Sequence, residues 1–430
     1  MDFHREFKKR NCNKEEDKPT NWLSCLPHEI VLDILSRLPI KSVFQFRFAC
    51  RSWHLLSHDP HLDSMHMSRA QIDQRLCLIF HCDYPIRNQL HFVEFSDVDD
   101  YEIVRKIDTP FASSMPEFSV IGSCNGLLCL VDSLLASSIY IYNPFTRNYK
   151  VLPKSIEFQD QIVIFGFGFH PVTKEYKVIK IVYYPSAYNL DNPRHFRRLT
   201  YNNSRRSGVQ IYNLYTNEWR SIGEAPYRLE KTSSPGVLVS GRLHWMSQCG
   251  KFNGRRDRII VSFDLSDDSF KKIPKPDSGA LRSWLSSYVA VLGGCLCAFV
   301  PLPPGNGAMD IWVMKEYGVQ DSWVKEYTIG PNYSPGCIGP EFRKSYSIWR
   351  NYLSGKLVRI LCLLKNGEIL LEYKGGSLVS FNPDSGMFKN HTFQGMPRLF
   401  RTTIHVGSFN PATPDNDRRI RLVTRSATYL

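Results

Sequence analysis

Gly166-Phe167-Gly168 is the stretch that most invites a chemical reading, because closely spaced glycines let a backbone wrap a phosphate. It lacks the third glycine of a dinucleotide loop, and no helical pattern follows it. Phe165 and Phe169 flank it, so strand packing explains it better. His170, His244 and His391 could act as bases or metal ligands. Each falls on or beside a strand or turn pattern, where a structural histidine is the commoner outcome. Asp264, Asp267 and Asp268 would suit a carboxylate cluster, but Asp264 occupies a turn-opening position that recurs along the chain. There is no Gly-x-Ser-x-Gly elbow and no His-Glu-x-x-His helix. Cys295 and Cys297 are one residue apart, and no Cys-x-x-Cys pair exists, so zinc-site spacing is absent. These residues point to no catalytic set, no metal site and no cofactor.

Composition sets the frame. The chain has 430 residues, 43% apolar and 22% charged, enough for one small and one large folded domain. Residues 1–20 are charged and lack the apolar core of a signal peptide. The cysteines are therefore expected to be reduced and mostly buried, in the cytoplasm, the nucleus or both. Tyr288 to Leu302 is the long apolar run, interrupted by Gly293-Gly294. It is too short to span a bilayer and predicts a buried hairpin, so no membrane partner is expected. Net charge is +13, with basic segments at Arg194–Arg206, Lys251–Arg258 and Arg418–Arg425. These read as solvated loops and a tail, or as attraction to an acidic partner. No nucleic-acid module accompanies them, so nucleic acid is not an expected partner.

Two regions must position any site. Residues 1–21 read as a disordered charged arm, and residues 22–65 as a helical module. Ile30, Val31, Ile34, Leu35 and Leu38 recur at the spacing of one helical face. Pro27 suits the first turn, and Pro39 ends the helix. A second helix starts near Lys41 with Val43, Phe44, Phe46 and Phe48, and a third segment holds Cys50, Trp53, Leu55 and Leu56. Such short helices cannot enclose a core alone and must bury apolar residues against something else.

Strand-like alternation dominates from residue 75 to residue 408, followed by a basic tail at 409–430. A degenerate repeat runs through it. Tight-turn pairs recur at Asn125-Gly126, Ser240-Gly241, Gly293-Gly294 and Asn366-Gly367, each predicting a hairpin. A second element is an apolar strand, a turn opened by Asn143, Asn213, Asp264 or Asn382, and an aromatic six residues later. A looser copy runs from Ile311 to Trp323. The repeat favours an all-β domain built as a β-propeller of about six blades. A large β-sandwich or an irregular barrel is the alternative.

The helical module resembles the F-box of plant proteins. The matching residues are Leu26, Pro27, Glu29, Ile30, Ile34, Leu35, Arg37, Leu38, Pro39, Lys41, Ser42, Arg47, Cys50, Arg51, Ser52 and Trp53. Val120–Cys129, Tyr142–Thr146, Phe165–His170, Gly241–Trp245 and Ile260–Asp264 look like the F-box-associated domain, a family related to kelch-repeat F-box proteins. The resemblance implies docking onto a Skp-type adaptor and, through it, cullin and RING subunits of a ubiquitin ligase. It implies that Leu26, Pro27, Ile30, Ile34, Leu35, Leu38, Pro39, Val43, Cys50 and Trp53 make that contact. The β domain would hold a target protein whose binding residues carry no readable motif. The chain would be a non-catalytic receptor. A non-ligase Skp partner, a basic-patch nucleic-acid binder and a propeller enzyme remain as alternatives.

Overall fold

Two kinds of periodicity produce two kinds of structure. The computed structural model describes residues 26–46, 49–57, 59–72, 76–82, 88–95, 102–134, 137–185, 205–230, 236–248, 250–252, 255–276, 287–302, 308–330, 358–373 and 376–408. They fall into two compact units, one ending at His66 and the other beginning at Met67. The expected arm at 1–21 and basic tail at 409–430 lie outside the described residues.

The helical unit contains α1 (His28–Ser36), α2 (Ile40–Phe46), α3 (Arg51–Leu56) and the start of α4 (Pro60–Ile72). Prolines set the first two starts. The Pro27 carbonyl accepts the N–H groups of Ile30 and Val31 at 3.0 and 3.2 Å, and the Pro39 carbonyl accepts those of Ser42 and Val43 at 2.9 and 3.2 Å. The sequence showed three helical segments; α4 is a fourth. Its apolar residues are mixed with His, Asp and Ser, so no clean stripe marked it. Asp59 caps it, accepting the His61 N–H at 2.8 Å. The buried His66 then donates from Nε2 to the Leu38 carbonyl at 3.0 Å, tying α4 to the link between α1 and α2.

The β unit starts with β1 (Leu76–Cys82), β2 (Leu90–Phe95) and β3 (Arg105–Ile107). Five antiparallel blades of four strands follow. Blade 1 is β4 (Phe118–Cys124), β5 (Leu127–Asp132), β6 (Ile139–Tyr142) and β7 (Tyr149–Val151). Blade 2 is β8 (Ile162–His170), β9 (Glu175–Pro185), β10 (Arg205–Asn213) and β11 (Glu218–Gly223). Blade 3 has β12 (Val237–Val239) and β13 (Arg242–Met246), then an inserted hairpin of β14 (Gly250–Phe252) and β15 (Arg255–Asp257). It finishes with β16 (Ile260–Asp264) and β17 (Ser269–Ile273). Blade 4 is β18 (Tyr288–Leu292), β19 (Cys295–Pro301), β20 (Met309–Met314) and β21 (Trp323–Ile329). Blade 5 is β22 (Val358–Leu363), β23 (Ile369–Tyr373), β24 (Ser377–Phe381) and β25 (Phe388–His391). The last strand, β26 (Phe400–His405), returns to pair with β1, placing His405 opposite Cys77. Blade 6 therefore takes its first strand from one end of the domain and the other three from the other end. First strands of successive blades neighbour one another around a closed ring. In chain order the fold is a few N-terminal helices followed by a six-bladed β-propeller.

The repeats found in the sequence build equivalent corners. Asn125-Gly126, Ser240-Gly241 and Gly293-Gly294 have positive φ at both residues, as two-residue hairpin turns between first and second strands require. Asn366-Gly367 differs, since only Gly367 has positive φ and its N–H bonds back to Leu364. The third-to-fourth turns share one geometry. Oδ1 of Asn143, Asn213, Asp264 and Asn382 accepts the N–H two residues on, at 2.9, 2.8, 2.9 and 3.0 Å. The aromatic before each opener pairs in register with the aromatic six residues after it: Tyr142 with Tyr149, Tyr212 with Trp219, Phe263 with Phe270, Phe381 with Phe388.

The apolar cores lie between blades. Phe299 and Ile311 of blade 4 pack with Ile360 and Leu371 of blade 5, and comparable clusters fill the other joints. Burying a side chain such as Phe299 contributes roughly 2–3 kcal/mol. Blade spacing explains Gly166 and Gly168. A Cβ on Gly166 would stand 2.7 Å from Trp245 Cζ2, and one on Gly168 would stand 2.7 Å from Leu238 Cδ1. Both contacts come from blade 3, so these glycines let two blades close up.

Candidate functional site

On α1 the chain sorts its apolar residues into two stripes. Val31, Leu32 and Leu35 are buried. Ile30 and Ile34, one turn apart, are 46% and 47% exposed, and Leu26 just before the helix is 36% exposed. Glu29 in the first turn complements the helix dipole, and Asp33 pairs with Arg37 at 3.0 Å along the rim.

The sequence-expected contact residues divide between surface and core. Pro27, Pro39 and Cys50 are exposed with Leu26, Ile30 and Ile34. Leu38 and Trp53 are half-buried, so each keeps a face outward. Leu35 and Val43 are 2% exposed and belong to the core. Two exposed apolar residues were not among those expected: Phe46, whose ring stacks on Trp53 at 5.3 Å, and Leu55. Their only sequence signal was an apolar side chain on a helix too short to show a stripe. An exposed apolar edge of this kind, beside a small polar rim, can bury itself in a partner's hydrophobic surface.

In the propeller, the residues that could do chemistry are committed to the fold. His170 accepts the Thr173 N–H at Nδ1, at 3.1 Å. His244 is fully buried; its Nδ1 donates to the Val237 carbonyl at 3.0 Å, and its Nε2 accepts the Tyr317 hydroxyl at 2.7 Å. Burial holds its imidazole down at about 4, so it is neutral. His391 packs against Phe95 and Phe393. Asp264 opens its turn and pairs with Arg242 at 2.8 Å, Asp267 pairs with Lys271, and Asp268 pairs with Lys177 and Arg220. These carboxylates do not converge on one point. Burial pushes the Cys297 thiol up to about 12, which leaves it unreactive near neutral pH. Among the described residues, no group of three or more His, Cys, Asp or Glu could hold a metal ion.

Both halves match known families. Residues 23–65 match the F-box domain, and residues 75–398 match the F-box associated beta propeller domain. The chain belongs to the F-box-associated β-propeller family. It is 46% identical to F-box protein At3g07870 of Arabidopsis thaliana, over 95% of this chain and 98% of that one. F-box protein CPR1 and F-box/kelch-repeat protein At3g23880, from the same plant, are each 26% identical. The first alignment covers 90% of this chain and 89% of the relative, the second 84% and 89%. The exposed edge of α1 is thus the surface of an F-box, a domain that generally binds Skp1-type adaptors.

Proposed function

We propose that this chain is a substrate-recognition subunit of a cullin–RING ubiquitin ligase. Its F-box docks a Skp-type adaptor, and its propeller holds a target protein. The observation that carries this reading is the exposed stripe of Leu26, Ile30 and Ile34 beside the buried stripe of Val31, Leu32 and Leu35. A helix that keeps one apolar stripe outward while filling a core with another is built for a partner. The receptor supplies no catalytic group. It raises the effective concentration of target lysines near a ubiquitin-loaded enzyme, so it sets which protein is modified and leaves the thioester chemistry alone. We infer the cytoplasm, the nucleus or both as its place of action.

Reconstitution tests this directly. The full chain, mixed with a plant Skp-type adaptor, cullin and RING subunits, should enter one assembly on size-exclusion chromatography. The Leu26→Ala/Pro27→Ala form should stay outside it. A folded wild-type chain that elutes apart from the ligase subunits would sink the reading.

A further inference from the structure

Among the described residues, three lysine or arginine side chains are buried: Lys177, Lys180 and Arg258. Lys177 pairs with Asp268 at 3.0 Å, and Arg258 pairs with Glu230. Lys180, on β9 of blade 2, is 0% exposed, yet among the described residues no carboxylate lies within ion-pair distance of it. Its Nζ donates instead to the Ser155 hydroxyl at 2.7 Å and to the Ile156 carbonyl at 3.3 Å. Both acceptors are neutral. Taking a charge out of water without a counterion is expensive. Burial accordingly pulls the Lys180 pKa down, with the exposed Glu157 opposing it. An ammonium carries three N–H groups, so a third remains for a further acceptor.

Ser155 and Ile156 belong to the crossing from blade 1 to blade 2, residues 152–161 between β7 and β8. Neighbouring crossings close their joints with apolar plugs: Phe111 and Met115 before blade 1, and Leu229 before blade 3. This crossing has a polar floor. Gln210 stands directly opposite Lys180 in register. Its Oε1 accepts the Ile156 N–H and its Nε2 donates to the Ile156 carbonyl, both at 3.1 Å. The Trp219 indole donates to the Pro153 carbonyl at 2.8 Å. Pro153, Lys154, Ile156 and Glu157 are exposed, Ser155 is half-buried, and residues 152–158 have no regular secondary structure. A modifying enzyme can therefore reach this segment without unpairing a strand. The fold thus sets a serine hydroxyl, in an irregular surface segment, over a buried cation that lacks a counterion.

We propose that Ser155 is a phosphorylation site whose phosphate Lys180 neutralises. The Ser155 Oγ attacks the γ-phosphorus of a nucleoside triphosphate brought by a protein kinase. The new O–P bond replaces the bond to the leaving diphosphate, and the hydroxyl proton goes to the kinase's base. The monoester brings a strong negative charge and three acceptor oxygens, so Lys180 exchanges a neutral acceptor for a charged one. Lys154, next in sequence and exposed, adds a second cation. Modification tightens the crossing onto blade 2. The proposal does not depend on the receptor reading above.

The test places phosphoserine at position 155 of the full chain by codon suppression. Position 113, an exposed serine on the preceding crossing, is the control. Phosphorus NMR reads the phosphate's second ionisation, which lies at about 6 in solvent. It should fall by about one pH unit at Ser155 and stay at the solvent value at Ser113. Lys180→Gln should return the Ser155 phosphate toward the solvent value. The chain phosphorylated at Ser155 should melt about 2 °C or more above the unmodified one, and Lys180→Gln should abolish the gain. In plant-cell extract with a thiophosphate-donating ATP analogue, wild type should take label at Ser155, and Ser155→Ala should lose that label. An unshifted phosphate at Ser155, a lower melting temperature on phosphorylation, or one label pattern shared by Ser155→Ala and wild type would each overturn the proposal.

Discussion

Asn143 donates from Nδ2 to the main-chain carbonyl of Ser408, 2.8 Å away and at the far end of the described chain. Its Oδ1 meanwhile accepts the N–H groups of Phe145 and Thr146 at 2.9 and 3.1 Å. One buried amide thus forms a corner of blade 1 and clasps the residues that follow β26. The first hairpin of blade 1 fits under the same strap, since a Cβ on Gly126 would collide with the Ser408 Cβ. Ring closure therefore rests on pairing with β1 and on this clasp. Asn143→Ala should lower unfolding free energy by about 1–3 kcal/mol, more than Asn213→Ala, whose turn bond is exposed. Urea titrations of both variants would show the ordering, and equal losses would contradict the clasp. A chain ending at Ser408 should keep its β-sheet circular dichroism, whereas one ending at Leu399 lacks β26 and should not.

A largely buried ion pair holds β26 on its other side, against blade 5. Glu372 on β23 pairs with Arg359 on β22 and accepts the Thr402 N–H of β26 at 2.6 Å. Arg359 also donates to the Thr402 carbonyl at 3.2 Å. Glu372→Ala strands the guanidinium without its counterion and should cost about 3–5 kcal/mol. Replacing both by methionine should recover much of that loss, since no uncompensated charge remains. Equal stability of the single and double variants would argue against the pair's role.

Acid should loosen the propeller through His244. Burial lowers its pKa from 6.5 to about 4, so the fold holds the neutral ring. That contribution is complete above the unfolded value of 6.5 and is lost as pH falls toward 4. The loss is on the order of 3 kcal/mol, and His405, held down at about 3 by burial, adds to it with the same sign. The urea midpoint should fall between pH 6.5 and 4 in wild type. His244→Gln should start less stable and fall less steeply; parallel slopes would remove His244 from the account.

Gly166 should tolerate no side chain. Gly166→Ala forces its Cβ against Trp245 and Leu243 of blade 3, at a cost of about 1–3 kcal/mol. Trp245→Leu in the same chain should return part of that stability. A Gly166→Ala protein that melts like wild type would mean the blades are less closely packed there.

Local pattern was legible in the sequence, and closure was not. The Asn-Gly and Asn-Pro corners fix backbone angles over a few residues, so Asn125-Gly126 and Asn143 announced their turns. The run from Tyr288 to Leu302 announced the β18–β19 hairpin for the same reason. Blade 6 gave no such sign, because β26 meets β1 from the other end of the domain and a local window cannot see that pairing. In the F-box, helical spacing placed Ile30, Ile34 and Leu35 on one apolar helix. It could not separate the outward Ile30 and Ile34 from the inward Leu35, because that depends on tertiary neighbours that a single helix's pattern does not show.

The central claim is that the outward stripe of α1 is a docking edge. The affinity of the full chain for a plant Skp-type adaptor, measured by calorimetry, tests it most directly. Ile30→Asp/Ile34→Asp should weaken binding by more than about tenfold, because charges would enter a hydrophobic contact. The propeller's circular dichroism and melting should stay as in wild type. Unchanged affinity in a folded double variant would contradict the account.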